Sequence, residues 1–386
     1  MYNHIVILAE DYPSKGRPVF VFVQQLVEEL VDQGLKISVI APQSLTRSLV
    51  RRIPLMPKCT EYRTKNNIPY NVYRPYSVSF GNGHKILYNL ANGFNQHAIN
   101  KVLKEIKPEV LYGHFWHTAK KLRDYAIANH KPLFVACGEG DNALEKLVAS
   151  LSSREKDDFT NAVSGVISVS SENKRKCITY ELASEHNIVV LPNSVDTGIF
   201  VKDKNRDIRK ELGVSSDDFL VAFTGAFIHR KGSARLSAAI DMINDPHIKA
   251  VFIGAPLEGD DATPTCKGIV HKGRLEHSDI PQYLYASDCF CLPTLNEGCS
   301  NAIVEAVAAG LPIISSDMPF NEDILDENNS ILVNPMSVDE IADAIKKLKD
   351  NKDLCRRLAE GSLKKATTLR IDKRAEAIIK FIESKI

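Results

Sequence analysis

No run of about 18 uncharged apolar residues occurs in the 386-residue chain, so no segment reads as a membrane-spanning helix on length grounds. The opening, MYNHIVILAEDYP, lacks a basic leader and carries only a five-residue apolar stretch, so a secretory signal is not expected and a cytoplasmic location is. Charge of one sign is missing too: 49 Lys and Arg against 48 Asp and Glu leave +1, which gives no electrostatic reason to expect a nucleic-acid partner. The eight cysteines form no C-x-x-C and no paired Cys/His spacing, so neither structural zinc nor a disulfide framework is expected. No D-x-D triplet occurs, and no G-x-G-x-x-G follows the first apolar strand, which argues against a dinucleotide dehydrogenase. Internal repeats and low-complexity tracts are also absent. Apolar residues at 44% and charged residues at 25% are ordinary globular values.

What is present is an alternation of short β-branched runs with helical stretches. His4 to Ala9 reads as a strand, a loop follows with Pro13, Gly16 and Pro18, and Val23, Leu26, Val27, Leu30 and Val31 then line one helix face. Gly34 ends that helix and KISVIAP forms the next strand. Runs at 109–112, 132–136, 165–169 and 187–191 continue the pattern of buried parallel strands. A polar stretch interrupts it, and the rhythm restarts with FLVAFTG, VFIGAP, CFCLPT, PIISSD and ILVNP. The pattern predicts an α/β chain of two Rossmann-like, doubly wound domains: residues 1–195, a linker at 196–216, residues 217–365, and a charged helical stretch at 366–386. Open α/β sheets bind ligands beyond the carboxyl ends of their strands, so the two sheets are expected to face each other across a ligand cleft.

The segment CFCLPTLNEGCSNAIVEAVAAGLPIISSD (289–317) carries the most chemistry. Ser300 suits a helix N-cap, and Gly310 and Pro312 end the helix that begins near Asn301. That helix is apolar on nearly all sides except at Glu305, so the carboxylate needs donors aimed at it, and a ribose diol supplies two. Glu297, eight residues earlier, is expected on a loop facing the cleft. Between the two acids the backbone N–H groups of Cys299, Ser300 and Asn301 open the helix as an anion site. In TGAFIHRKG, Gly225 follows a strand, and Arg230 and Lys231 precede a helix whose dipole disfavours them unless an anion such as a diphosphate binds there.

The Glu297-x7-Glu305 pair, between the SDCFCLPT strand and the AAGLPII turn, resembles the signature of the retaining GT-B glycosyltransferases called family 4. PNSVDTGIF, TGAFIHRKG and KGRLEHSDIPQYLYASD are similar to further family patterns, while the first 190 residues match more loosely. The resemblance implies a nucleotide-diphosphate sugar, such as a UDP-sugar, as substrate rather than cofactor, and a glycan or lipid-linked acceptor in cell-surface polysaccharide or glycolipid synthesis. It implies retention at the anomeric carbon by a front-face route. Glu297 would hold the donor sugar's hydroxyls, Glu305 the ribose, and Lys231 with Arg230 the diphosphate, without a metal ion. It also implies that residues 366–386 cross back to the first domain. One departure is Ala226, where relatives usually carry Arg.

In the first half, the loop around Gly16 and Arg17 resembles the family's glycine-rich loop near donor phosphate and acceptor. VLYGHFWHTA and FVACGEGD are strands ending in His114 and in the acidic loop of Glu139 and Asp141, all candidates for sugar or acceptor contacts. A second departure lies here, since relatives often place a His in the loop occupied by Cys137 to Asp141. Residues 47–65 carry six basic side chains against Glu61, interleaved with apolar ones, a composition that can lie on an anionic membrane surface. The two departures also support a second reading, a non-catalytic GT-B protein that binds nucleotide sugar and serves a partner enzyme.

Overall fold

The computed structural model describes residues 4–14, 17, 19–79, 85–140 and 142–386. The chain divides into two compact units. The first runs to Val169 and adds Asn173–Leu191 and Ala375–Ile386; the second is Ser170–Glu172 with Pro192–Arg374.

Unit 1 contains β1 (His4–Leu8), β2 (Lys36–Ile40), β3 (Gln43–Ser44), β4 (Cys59–Arg63), β5 (Pro69–Tyr73), β6 (Tyr76–Ser77), β7 (Val110–His114), β8 (Leu133–Cys137), β9 (Val163–Ser168) and β10 (Ile188–Val190). Eight of these make one sheet in the order β10-β9-β8-β7-β1-β2-β5-β4, with β3 and β6 paired separately. Every neighbour in the sheet is parallel except β4 against β5. β1 shows why its sequence is apolar from Ile5 to Leu8. Ile5 and Ile7 enter one core cluster and Val6 and Leu8 the other, as the two-residue period of a doubly covered strand requires. The first cluster also takes Ala375, Ile378 and Ile382, one stripe of the helix Ile371–Glu383.

Unit 2 contains β11 (Phe219–Thr224), β12 (Ile248–Ile253), β13 (Ile269–Gly273), β14 (Cys289–Leu292), β15 (Ile313–Ser316) and β16 (Ser330–Val333). They form one parallel sheet in the order β13-β12-β11-β14-β15-β16. This is the Rossmann order, and the direction of winding reverses between β11 and β14. The loops after these two strands therefore splay apart at their carboxyl ends and leave a crevice. The structure has two Rossmann-like units, as the sequence pattern predicts. Among the described residues no helix is long and apolar enough to cross a membrane.

Gly113, in β7, is where the helix Trp116–Asn129 folds back on its own strand. A Cβ there would stand 2.5 Å from the backbone of Ala119. Gly113→Ala should therefore lower unit 1 stability by about 1–3 kcal/mol through overpacking. The fluorescence of Trp116, the single tryptophan and 1% exposed, reads this unit's urea transition; an unshifted midpoint would show that the helix yields without cost.

Candidate active site

The two loops at the reversal point of unit 2 hold the residues singled out from the sequence. β11 leads to Gly225 and then to a short 3-10 turn, His229–Lys231. Gly232 follows with φ +82°, and the helix Ser233–Ile243 begins with no side-chain cap. Only glycine fits at 232, because a Cβ would lie 2.5 Å from the Pro293 carbonyl oxygen in the loop after β14. The loops are tied together by Leu295 N–H donating to the Arg230 carbonyl at 2.9 Å and Arg235 Nη2 donating to the Pro293 carbonyl at 2.8 Å.

At this junction the carboxylate of Glu297 collects three donors on one oxygen, Oε1. Lys231 Nζ pairs with it directly, Thr294 Oγ1 donates at 2.8 Å, and Arg230 Nη1 lies at 3.3 Å. Oε2 takes no hydrogen bond from the described residues. Glu297 and Lys231 keep only 11% and 17% of their side-chain surface exposed. Glu297, expected on a loop facing the cleft, is largely enclosed by its cations. Gly225 gives its N–H to the Ile253 carbonyl at 2.9 Å, and Lys231 Cδ would lie 3.8 Å from a Cβ at Gly225, so the lysine stem runs past the glycine. Next to Gly225, the Thr224 hydroxyl is buried with no partner among the described residues. Buried hydroxyls are normally satisfied, so this one marks a place for a polar ligand atom.

Ser300 caps the helix Asn301–Ala308 by accepting from Ile303 N–H at 3.4 Å. Cys299 is held by Asn193, whose Nδ2 donates to the Cys299 carbonyl at 3.0 Å and whose N–H approaches Sγ at 3.3 Å. Burial pushes the Cys299 thiol up to about 12, so it stays protonated. Glu305 does not wait unpartnered for a ribose: its Oε1 lies 3.2 Å from His277 Nε2. The hydrogen bond to Glu305 raises the His277 pKa from 6.5, against the burial that lowers it. His277 lies in KGRLEHSDIPQYLYASD, a segment similar to a family pattern, but it is not singled out in the sequence because it stands 28 residues from its partner.

In unit 1 the structure scatters the candidates. Arg17 pairs with Asp11. His114 is 5% exposed and packed by rings, with Phe115 at 4.8 Å and Phe22 at 5.5 Å between centroids. Glu139 Oε1 accepts from Trp116 N–H at 2.6 Å, so it caps the helix Trp116–Asn129 in place of an N-cap side chain. Its Oε2 is buried without a partner among the described residues. Burial pushes its pKa up to about 7, against the Trp116 N–H, which lowers it. Phe115, preceding that helix, has φ 85° and ψ 154°, a conformation almost confined to glycine that costs about 1–3 kcal/mol. Gly16 and Asp141 lie outside the described residues. Of the basic stretch, Arg63 pairs with Glu61 at 2.6 Å, Lys65 with Glu29 at 4.0 Å, and Lys58 sits 5.0 Å over the Tyr76 ring. Arg47 and Arg51 stay on the helix Leu45–Arg51 beside Leu49 and Val50, which are 83% and 81% exposed.

Residues 204–365 match the family model described as Glycosyl transferases group 1, and residues 19–198 match Glycosyltransferase Family 4. TuaC of Bacillus subtilis (strain 168), assigned to teichuronic acid biosynthesis as a glycosyltransferase, is 26% identical over 357 residues, 88% of each chain. The UDP-Gal:alpha-D-GlcNAc-diphosphoundecaprenol alpha-1,3-galactosyltransferase of Escherichia coli is 30% identical over 201 residues, 49% of this chain and 52% of that protein. Among solved structures, sucrose-phosphate synthase from Thermosynechococcus elongatus has the same fold, with TM-score 0.77 at 15% identity, covering 99% of this chain and 98% of that one.

Removing one partner of the enclosed Glu297 cluster strands the other. Lys231→Ala and Glu297→Gln should each cost unit 2 about 1–3 kcal/mol, and the double variant less than their sum. Strict additivity in denaturant unfolding would mean that the pair is not coupled. Glu139 gives a pH signature in unit 1. Its pKa is about 7 when folded against the ordinary 4.5, so its contribution is fully present below pH 4.5 and is lost as the pH rises through 7. Glu139→Gln should flatten that slope in the Trp116 transition, and an unchanged slope would place the titration elsewhere.

Proposed function

The chain belongs to the GT-B glycosyltransferases, its second half carrying the group 1 glycosyl transferase domain, and we propose that it transfers sugar with retention from a UDP-linked donor held by unit 2. It is a transferase using nucleotide-sugar donors in polysaccharide or glycolipid synthesis, the work named for its relatives. The observation that carries the donor assignment is the meeting of Lys231, Arg230 and Glu297 at the β11/β14 reversal, the ligand position of this sheet order.

In the ligand-free chain Glu297 pairs with both cations and leaves a net positive charge. A nucleotide diphosphate brings more negative charge to the same place, so Lys231 and Arg230 turn to it, helped by the uncapped start of the helix Ser233–Ile243. Glu297 is then released to accept the donor sugar's hydroxyls, for which Oε2 is already open. His277 holds one oxygen of Glu305 and leaves the other for the ribose. The bond from the anomeric carbon to the diphosphate oxygen breaks, a bond to the acceptor oxygen forms on the same face, and the acceptor's proton leaves with the diphosphate. Because the leaving charge is met by Lys231, Arg230 and backbone N–H groups, the reaction needs no metal.

The acceptor is a glycan or lipid-linked sugar taken by unit 1. Exposed Leu49 and Val50, flanked by Arg47, Arg51 and Arg52, support contact with the anionic inner face of a membrane from the cytoplasm. The second reading, a nucleotide-sugar-binding protein without turnover, draws on Ala226 and on the loop from Cys137 to Asp141, which has no His.

Radiolabelled UDP-hexoses separate the two readings: label should pass to acceptor or water, and binding without release of UDP would favour the second. Activity should survive excess EDTA; loss on chelation with recovery in manganese would overturn the metal-independent mechanism. Glu305→Gln should weaken UDP binding by about 1–3 kcal/mol in a calorimetric titration.

A further inference from the structure

In unit 1 the winding reverses at β1, which has β2 on one side and β7 on the other. Ligands of wound sheets bind beyond the strand ends at such a point, so the loop leaving β1 stands where the position of the backbone matters most. That loop is closed on itself. Ser14 and Arg17 exchange N–H to carbonyl bonds of 3.2 and 2.8 Å, and Asp11 takes both the Tyr12 N–H, at 2.9 Å, and the Arg17 guanidinium.

Two residues from the edge of the sheet grip this closed loop by one atom, the Pro13 carbonyl oxygen. Tyr62, in the antiparallel edge strand β4, donates its hydroxyl at 2.8 Å, and Arg74, which follows β5, brings Nη2 to 3.4 Å. Arg74 Nη2 also donates to the Tyr62 hydroxyl at 2.8 Å. The guanidinium therefore polarises the phenol and makes it a stronger donor to the carbonyl. Ring packing backs the grip, since Tyr12 is 1% exposed and meets the Tyr62 ring edge-on at 5.7 Å between centroids.

Arg74 is 3% exposed, and its one other side-chain bond is to Thr60 Oγ1 at 3.5 Å. No carboxylate of the described residues pairs with it. A guanidinium buried against neutral oxygens alone is costly, and an apolar side chain would serve the core better. What the charge achieves at this place is a firmly held Pro13.

We propose that Tyr62 and Arg74 are positioning residues for sugar transfer: through the Pro13 carbonyl they hold the described part of the loop, residues 11–14 and 17, in the form that turnover needs. The inference rests on the glycosyl-transfer reading for the word turnover, while the hold on the loop is measurable without it.

Tyr62→Phe removes the hydroxyl and keeps the ring against Tyr12. In the full chain, well below the unfolding transition, this variant should lower kcat at least fivefold and speed amide hydrogen exchange at Ser14 and Arg17 at least fivefold. The KM for the UDP-hexose that the unaltered chain consumes should stay within twofold, because the donor groups belong to unit 2. Arg74→Lys keeps the charge but loses the planar fork, and it should behave in the same way. Thr60→Val is the comparison, since it removes another Arg74 partner without touching the loop; its kcat and exchange should stay within twofold. An unchanged kcat in Tyr62→Phe, unchanged exchange, or a change confined to KM overturns the proposal. Equal losses in Thr60→Val overturn it too, because they would mean a general loosening of the sheet edge. Tyr62 is half-buried and its ring is retained, so this variant decides the matter even if the Arg74 variant fails to fold. If the unaltered chain consumes no UDP-hexose, the glycosyl-transfer reading fails while the exchange measurement still judges the hold on the loop.

Discussion

One carboxylate oxygen organises unit 2. Glu297 Oε1 holds Lys231 and Arg230 from the loop after β11 and Thr294 from its own loop after β14. Parallel sheets leave such loops free to diverge at a winding reversal, and the carboxylate of one loop draws the two cations of the other to it. Gly232 lets the backbones approach closely enough for Leu295 and Arg230 to bond. Two cations against one carboxylate leave the cluster with a net positive charge, which a stronger anion can meet by displacing the internal one.

The same economy appears in unit 1 on the other side of the ledger. The helix Trp116–Asn129 begins after a strained Phe115 and has no side-chain cap of its own, so Glu139 comes from the neighbouring strand end to meet its first N–H. Where unit 2 gathers cations around one acid, unit 1 confines an acid whose second oxygen has no side-chain or backbone partner among the described residues. The enclosure, rather than any charged neighbour, dominates its proton affinity.

The architecture was legible because it is written locally. Apolar runs of strand length, Gly34 and Gly310 after helices, and Ser300 before one each act within a few residues, and the structure places strands and helices there to within about three residues. Glu297 and Glu305 were legible because eight residues of loop and helix fix their relation. What was not legible depends on distance along the chain. Glu305 looked unsatisfied only because His277 arrives from 28 residues upstream, and Glu139 looked like a sugar ligand because Trp116 is 23 residues away. Lys231 reads from the sequence as a cation awaiting a diphosphate, and only the fold shows its internal partner Glu297.

The stripe formed by Ala375, Ile378 and Ile382 has a consequence for biosynthesis. These residues complete a core that otherwise ends at Leu191, yet the ribosome makes all of unit 2 before it reaches them. At about 5–20 residues per second, the wait between the two pieces lasts roughly 10–40 s. Throughout that interval the nascent first unit exposes the apolar face around Phe134 and Ile167 that the late helix will cover. Unit 2 has every strand it needs and can fold during the wait, so the order of maturation is reversed relative to the order of synthesis. Holdase chaperones that recognise exposed aliphatic surface therefore have their longest opportunity on the part of the chain that emerged first.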